Sequence, residues 1–188
     1  MVDDTALTAL LGRHSLGPKH LVEPGPDDAA LALMLQAARR APDHLSLQPG
    51  RWVRVQGLAR ERLADLFEQA ARAAGKDAAA AALDADRARR APLTLALVAR
   101  IDLGHPQVPA HEQWMAVGGA LAQLMTAAHL LGYAGKMLSG YKARHPLVQA
   151  AFCAPGETLV GWVTLGTAAR APAARPGPDA LPGALTDW

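Results

Sequence analysis

Two short polar stretches carry most of the side chains that could do chemistry in this chain. Arg13, His14 and Ser15 present a guanidinium, an imidazole and a hydroxyl in succession, just after a predicted helix. A planar donor fork beside a hydroxyl suits a phosphate monoester. Equally, a helix C-terminus attracts cations through its dipole without any ligand. The second stretch, "ARRAPDHLSLQPGRW", runs from Ala38 to Trp52. Arg40 and His44 leave the backbone on either side of a Pro-Asp turn, so a rigid bend sets their spacing. Arg40 also reads as dipole compensation, and Asp43 as a helix cap or Asx-turn.

Other chemistries are excluded by spacing. "HEQWM" at His111 opens like a zincin helix, but Met115 stands where the second histidine would have to be. The remaining histidines show no ligand spacing. No nucleophile elbow surrounds Ser15, Ser46 or Ser139, and neither glycine-rich phosphate cradle occurs. Cys153 is the only cysteine, which rules out an intrachain disulfide and a multi-cysteine zinc site.

These groups must be positioned by a chain of 188 residues, long enough for one domain. Its apolar fraction is 51% but its aromatic fraction only 4%, so alanine dominates the core material and a partner surface would help to bury it. The formal charge of +2 is too small and too scattered for a nucleic-acid footprint. The acidic opening "MVDD" lacks a signal-peptide n-region. Polar residues and Gly118-Gly119 interrupt the apolar run from Trp114 to Leu131, so no membrane span and a cytoplasmic protein are expected.

The patterning predicts a short helix from Asp3-Asp4 and a proline- and glycine-rich loop over residues 13–26. A helix then runs from Asp27-Asp28 to Arg39-Arg40, stopped near Pro42. "RWVRVQG" predicts a strand with Val53 and Val55 on one face and Trp52 on the other. A helix follows from Ala59 to about Ala74. "KDAAAAALDADRARR" reads as a helix either packed or solvent-exposed. "LTLALVARI" predicts a strand buried on both faces. The helix from His111 to Leu131 ends at Gly132 and is apolar enough for burial all round, with a twin copy meeting it at Gly118 and Gly119. "YAGKML", "HPLVQAAF" and "TLVGWVTLGTA" predict a strand, a helix and a last strand. A single domain over residues 1–171 and an extended C-terminal arm over 172–188 follow.

Five segments in register, "GRHS", "ARRAPDHLSLQP", "RAPLTLALVARI", "VPAHEQWMAVGGALAQLMTAAHLLGYAG" and "ETLVGWVTLGT", resemble the nitroreductase family, in particular its small YdjA-type branch. The likeness spans about Thr5 to Thr167. It implies an α+β sandwich, with a central, mostly antiparallel sheet flanked by helices. It further implies a homodimer with exchanged C-terminal arms and FMN bound at the interface. The implied activity is NAD(P)H oxidation by ping-pong hydride transfer to nitroaromatics, quinones or similar flat acceptors, the chemistry being carried by flavin N5 with no catalytic side chain. By the same resemblance Arg13, His14 and Ser15 contact the FMN phosphate and ribityl chain. Arg40 and His44 contact the flavin, as do Met137, Leu138 and Ser139.

The chain departs from the branch pattern in two places. Where the branch has W-R-S, this sequence has Met137-Leu138-Ser139, and Gly50 replaces a tryptophan, with Trp52 two positions on. Losing one charged contact to a phosphate weakens binding by about ten- to more than a hundredfold. Lys19, Lys136 and Lys142 are the candidate substitutes. Two rival readings follow: another flavin-linked chemistry on the same scaffold, or a dimeric module with weak or lost FMN binding and a non-redox role.

Overall fold

The computed structural model describes residues 4–170 and residue 186. The expected arm, 172–188, lies outside the described residues apart from 186. The last strand, β5 (Glu157–Ala168), organises the sheet. One edge of β5 pairs with β3 (Leu93–Arg100), whose far edge takes β2 (Gly50–Val55). The other edge takes β4 (Ala134–Leu138), and β1 (Leu21–Val22) pairs with the C-terminal end of β5. Every pairing is antiparallel. The strand order is β1-β5-β3-β2, with β4 beside β5.

Side chains alternate across a strand, so the apolar runs serve two cores. Leu95, Val163 and Leu165 face α2 (Asp28–Ala38) and α5 (Ala110–Leu130), where Met34 and Leu124 meet them. Ala96, Val98 and Trp162 face the opposite layer, α3 (Ala59–Ala73), α4 (Ala78–Arg89), α6 (Tyr141–Arg144) and α7 (Pro146–Phe152). Residues Leu93 to Ala99 are all buried, as the unbroken apolar run predicts. Trp52 packs with the α5 side, and Val53 and Val55 with the Phe67 side.

The alanine-rich segment is a packed helix. Asp77 caps α4 by accepting from the Ala80 amide at 2.8 Å, and Ala81, Ala85 and Ala88 are buried. Small side chains on this face let α4 lie close against α3. The predicted loop over 13–26 also holds a 3₁₀ turn, Pro18–His20, and β1, a strand too short to show alternation. α1 (Asp4–Gly12) packs on α5.

Within the single chain α5 is covered over part of its surface only. In the single chain one flank stays open, with Met115 71% and Trp114 42% exposed, and a Cβ placed on Gly118 would meet nothing within 4 Å. Gly119 meets its own chain instead. A Cβ there would lie 3.1 Å from Ala41 Cβ, so it seats the Pro42 corner.

A bulge interrupts β5. Leu97 pairs with Gly161 and Val98 with Leu159, leaving Val160 outside the register. Gly161 has φ +156°, and a Cβ at this position would strike the Leu138 carbonyl. The displaced Val160 carbonyl accepts a hydrogen bond from Ser139 Oγ at 3.1 Å.

Candidate functional site

The chain leaves α1 through Arg13 and runs along the outer edge of β4, where the Leu16 amide donates to the Gly135 carbonyl at 2.9 Å. Gly135 is required there, because a Cβ would collide with the Thr164 carbonyl of β5. This path puts Arg13 and His14 in a crevice with Met125, Ala128 and His129 of α5. Arg13 is half-buried and has no ion pair among the described residues. His14 Nδ1 lies 3.1 Å from the Gly12 carbonyl, and Ser15 is exposed.

The second stretch forms a braced corner at the end of α2. Arg40 is exposed, and its amide donates to the Ala37 carbonyl at 2.9 Å. His44 Nδ1 lies 2.6 Å from Glu112 Oε2 in the first turn of α5. Asp43 does not cap the following 3₁₀ turn, His44–Ser46; its carboxylate instead accepts from the Gln48 amide at 2.7 Å. Leu45, Ser46 and Gln48 have φ of +58°, +55° and +50°. Non-glycine residues pay about 1–3 kcal/mol each for that region, a strain characteristic of functional loops. The bend borders a cleft of about 300 Å³ between Arg39, Gln48, Gly50, Trp52 and Ala120.

The third predicted segment is divided by the sheet. Met137 packs with the α5-side core. Leu138 and Ser139 border a cleft on the opposite face, about 510 Å³ in volume, beside Lys19, Arg90 and Lys142. Lys142 is not a spare cation. Its Nζ lies 2.8 Å from Asp84 Oδ1 and 4.8 Å from the centre of the Phe67 ring. Burial pulls Lys142 below the usual amine range, against the pull of Asp84. Asp84 is itself buried and also meets Lys76 at 2.7 Å, Arg87 at 3.1 Å and the Tyr141 hydroxyl at 2.5 Å. Burial alone would raise the Asp84 pKa. The hydrogen bonds from Lys142, Lys76 and Tyr141 outweigh it and hold the carboxyl well below the usual range.

The backbone thus brings the 13–19 loop beside β4 and Ser139, but Arg40 and His44 lie elsewhere. From Glu112 to Ala128, α5 advances by about 24 Å at 1.5 Å per residue. Arg13 and Arg40 border two different clefts of the single chain, Arg13 with Met125 and His129, Arg40 with Leu33 and Gln36. Sequence reasoning missed Glu112 and the Asp84 cluster. An acid one turn after Pro109 was the available sign for Glu112. Asp84 sits in an alanine-rich run with no comparable sign. Among the described residues no group of three or more potential metal ligands occurs, and no helix is long and apolar enough to cross a membrane.

Comparison with known proteins gives this arrangement its class. The family model described as the nitroreductase family matches residues 11–167. YdjA of Escherichia coli strain K12, which carries the name of an NAD(P)H nitroreductase, is 39% identical over 167 residues, covering 86% of this chain and 87% of its own. The solved nitroreductase-like protein of Bacillus cereus superposes with a TM-score of 0.77 at 18% identity, covering 92% of this chain and 90% of that one. The FMN- and NADPH-dependent nitroreductase NfnB of Sphigopyxis sp. strain HMH, solved as a mutant, gives 0.69 at 20% identity, over 97% and 98% of the two chains. The chain belongs to the nitroreductase family, a family of oxidoreductases.

Proposed function

We propose that this protein is an FMN-dependent NAD(P)H oxidoreductase of the cytoplasm that acts as a homodimer and reduces nitroaromatics, quinones or similar flat acceptors. One observation carries the reading. The two cation-bearing loops lie at opposite ends of α5, and the flank of α5 around Met115 and Gly118 is open. A twofold partner on that flank brings the Arg13 loop of one copy towards the Arg40–His44 corner of the other. The name of YdjA and the description of NfnB support the donor and the flavin.

The side chains present fit a phosphorylated planar cofactor. Arg13, Lys19, Arg40 and Lys136 carry no ion pair among the described residues, so their donors are uncommitted. When bound, FMN supplies the two-electron chemistry. Arg13, His14 and Ser15 would hold its phosphate and ribityl chain, with Lys19 or Lys136 in place of the cation that Leu138 lacks. Arg40 would place positive charge near the ring, and His44, oriented by Glu112, would donate a hydrogen bond at its edge. Of the third segment, Leu138 and Ser139 would border the cofactor, Ser139 being fixed through Val160, while Met137 packs into the core on the opposite face.

The test is direct. The purified protein should be yellow, release FMN on denaturation, and oxidise NADH or NADPH with a quinone or nitrofuran as acceptor. Arg13→Ala and Arg40→Ala should each weaken FMN binding at least about tenfold. Protein that stays colourless in excess FMN overturns the reading and favours the cofactor-free dimer to which Leu138 points.

A further inference from the structure

The turn between β4 and α6 is held from both ends and by nothing in its middle. Gly140 forms it with φ +124° and ψ −156°, a conformation open almost only to glycine, and a Cβ there would meet nothing within 4 Å. Packing at Gly140 therefore does not select the angle of the turn; the groups on either side do. Upstream, Leu138 pairs with Trp162 of β5, and Ser139 Oγ donates to the Val160 carbonyl at 3.1 Å. Downstream, α6 is four residues long, too short to hold itself. Its first two residues reach Asp84 of α4 instead. The Tyr141 hydroxyl donates to Oδ2 at 2.5 Å and Lys142 Nζ to Oδ1 at 2.8 Å. Lys76, from the turn between α3 and α4, and Arg87 donate to the same carboxylate at 2.7 and 3.1 Å. Donors from three segments thus fix the carboxylate in one orientation. Apolar side chains of similar volume often join two elements as firmly as a buried ion cluster. What the carboxylate adds is direction.

We propose that Asp84 is a positioning residue for the cofactor, acting through Tyr141 and Lys142 to set the turn that presents Leu138 and Ser139. At 1% exposure Asp84 meets no ligand itself. This role rests on the reading above, which puts FMN beside Leu138 and Ser139.

Two substitutions and a control test it. Tyr141→Phe removes one hydrogen bond and leaves every charge of the cluster in place, while Asp84→Asn removes the central charge. The control, Asp77→Ala, loses the cap of the same helix and should lower the urea midpoint without touching the turn. Each protein is titrated with FMN, and the midpoint potential and visible circular dichroism of the flavin are read at saturation. We expect Tyr141→Phe to bind FMN at least about threefold more weakly, as suits a residue coupled through its neighbours. Asp84→Asn should bind it more weakly still, and both should displace the potential and the dichroism. Asp77→Ala should match wild type in affinity, potential and dichroism.

A merely structural cluster gives another result. Tyr141→Phe would then lose stability as Asp77→Ala does, with all three flavin readouts unchanged, and the role would be overturned. Equal flavin effects in Tyr141→Phe and Asp77→Ala would overturn it as well. If Asp84→Asn does not fold, Tyr141→Phe decides alone. Wild-type protein that takes up no FMN overturns the redox reading and this role together. Wild type that loads FMN, beside an unchanged Tyr141→Phe, overturns the role and leaves the reading standing.

Discussion

His44 Nδ1 and Glu112 Oε2 approach to 2.6 Å, tying the strained turn after α2 to the first turn of α5. The carboxylate accepts the Nδ1 proton, which leaves Nε2 as the nitrogen offered outward. Both side chains are partly exposed, so the pair contributes at most about 1 kcal/mol. Glu112→Ala and His44→Ala should therefore lower stability little in urea unfolding. Their effects on FMN affinity should be non-additive, because each removes the same contact. Additive losses in a double-mutant cycle would show that Glu112 does not act through His44.

Gly161 is the least replaceable residue of β5. Alanine there would adopt an unfavourable φ and overlap the Leu138 carbonyl. A loss of about 3 kcal/mol or more is expected for Gly161→Ala. Wild-type-like chemical denaturation would contradict the bulge geometry.

Asp84 makes a pH-dependent prediction. Its folded pKa is depressed, so its contribution to stability is full above about pH 4 and declines as acid protonates it. Asp84→Asn leaves Lys142 buried without its counter-charge and should cost about 3 kcal/mol at neutral pH. The gap between wild type and variant should narrow as the solution is acidified below about pH 4. A gap that is constant from pH 7 to pH 3 would show that Asp84 does not ionise within the cluster.

The open flank of α5 separates two effects at one glycine. Gly118 has space for a methyl group in the single chain, so Gly118→Ala should stabilise the helix by about 0.5–1 kcal/mol. If the flank is a dimer seam, the same substitution crowds it and weakens association. Met115→Glu should give a folded monomer by sedimentation, with reduced flavin content. A dimer unaffected by Met115→Glu would place the seam elsewhere.

Where pattern and burial coincide, the sequence was legible. The run Leu93–Ala99 predicts a two-faced strand and forms one, and Gly132, with φ +85°, ends α5 as a terminating glycine does. The resemblance supplied what periodicity could not, namely the family and the mostly antiparallel sheet it implies. Three things stayed hidden. β1 is two residues long, below any alternation signal. The packing of α4 depends on alanines meeting α3, and alanine is compatible with either exposure or burial. The separation of Arg40 from Arg13 is a matter of which end of α5 each loop reaches, which spacing along the chain does not encode.

Strand β5 carries a consequence for biosynthesis. It is the partner of β1, β3 and β4, yet it occupies residues 157–168 and is made after all of them. While the ribosome still holds this segment, only β2 and β3 can pair, and the other edges wait unsatisfied. The sheet must therefore close in a late step, after nearly the whole domain has emerged, and a nascent chain arrested before Glu157 should be open to proteases and chaperones throughout.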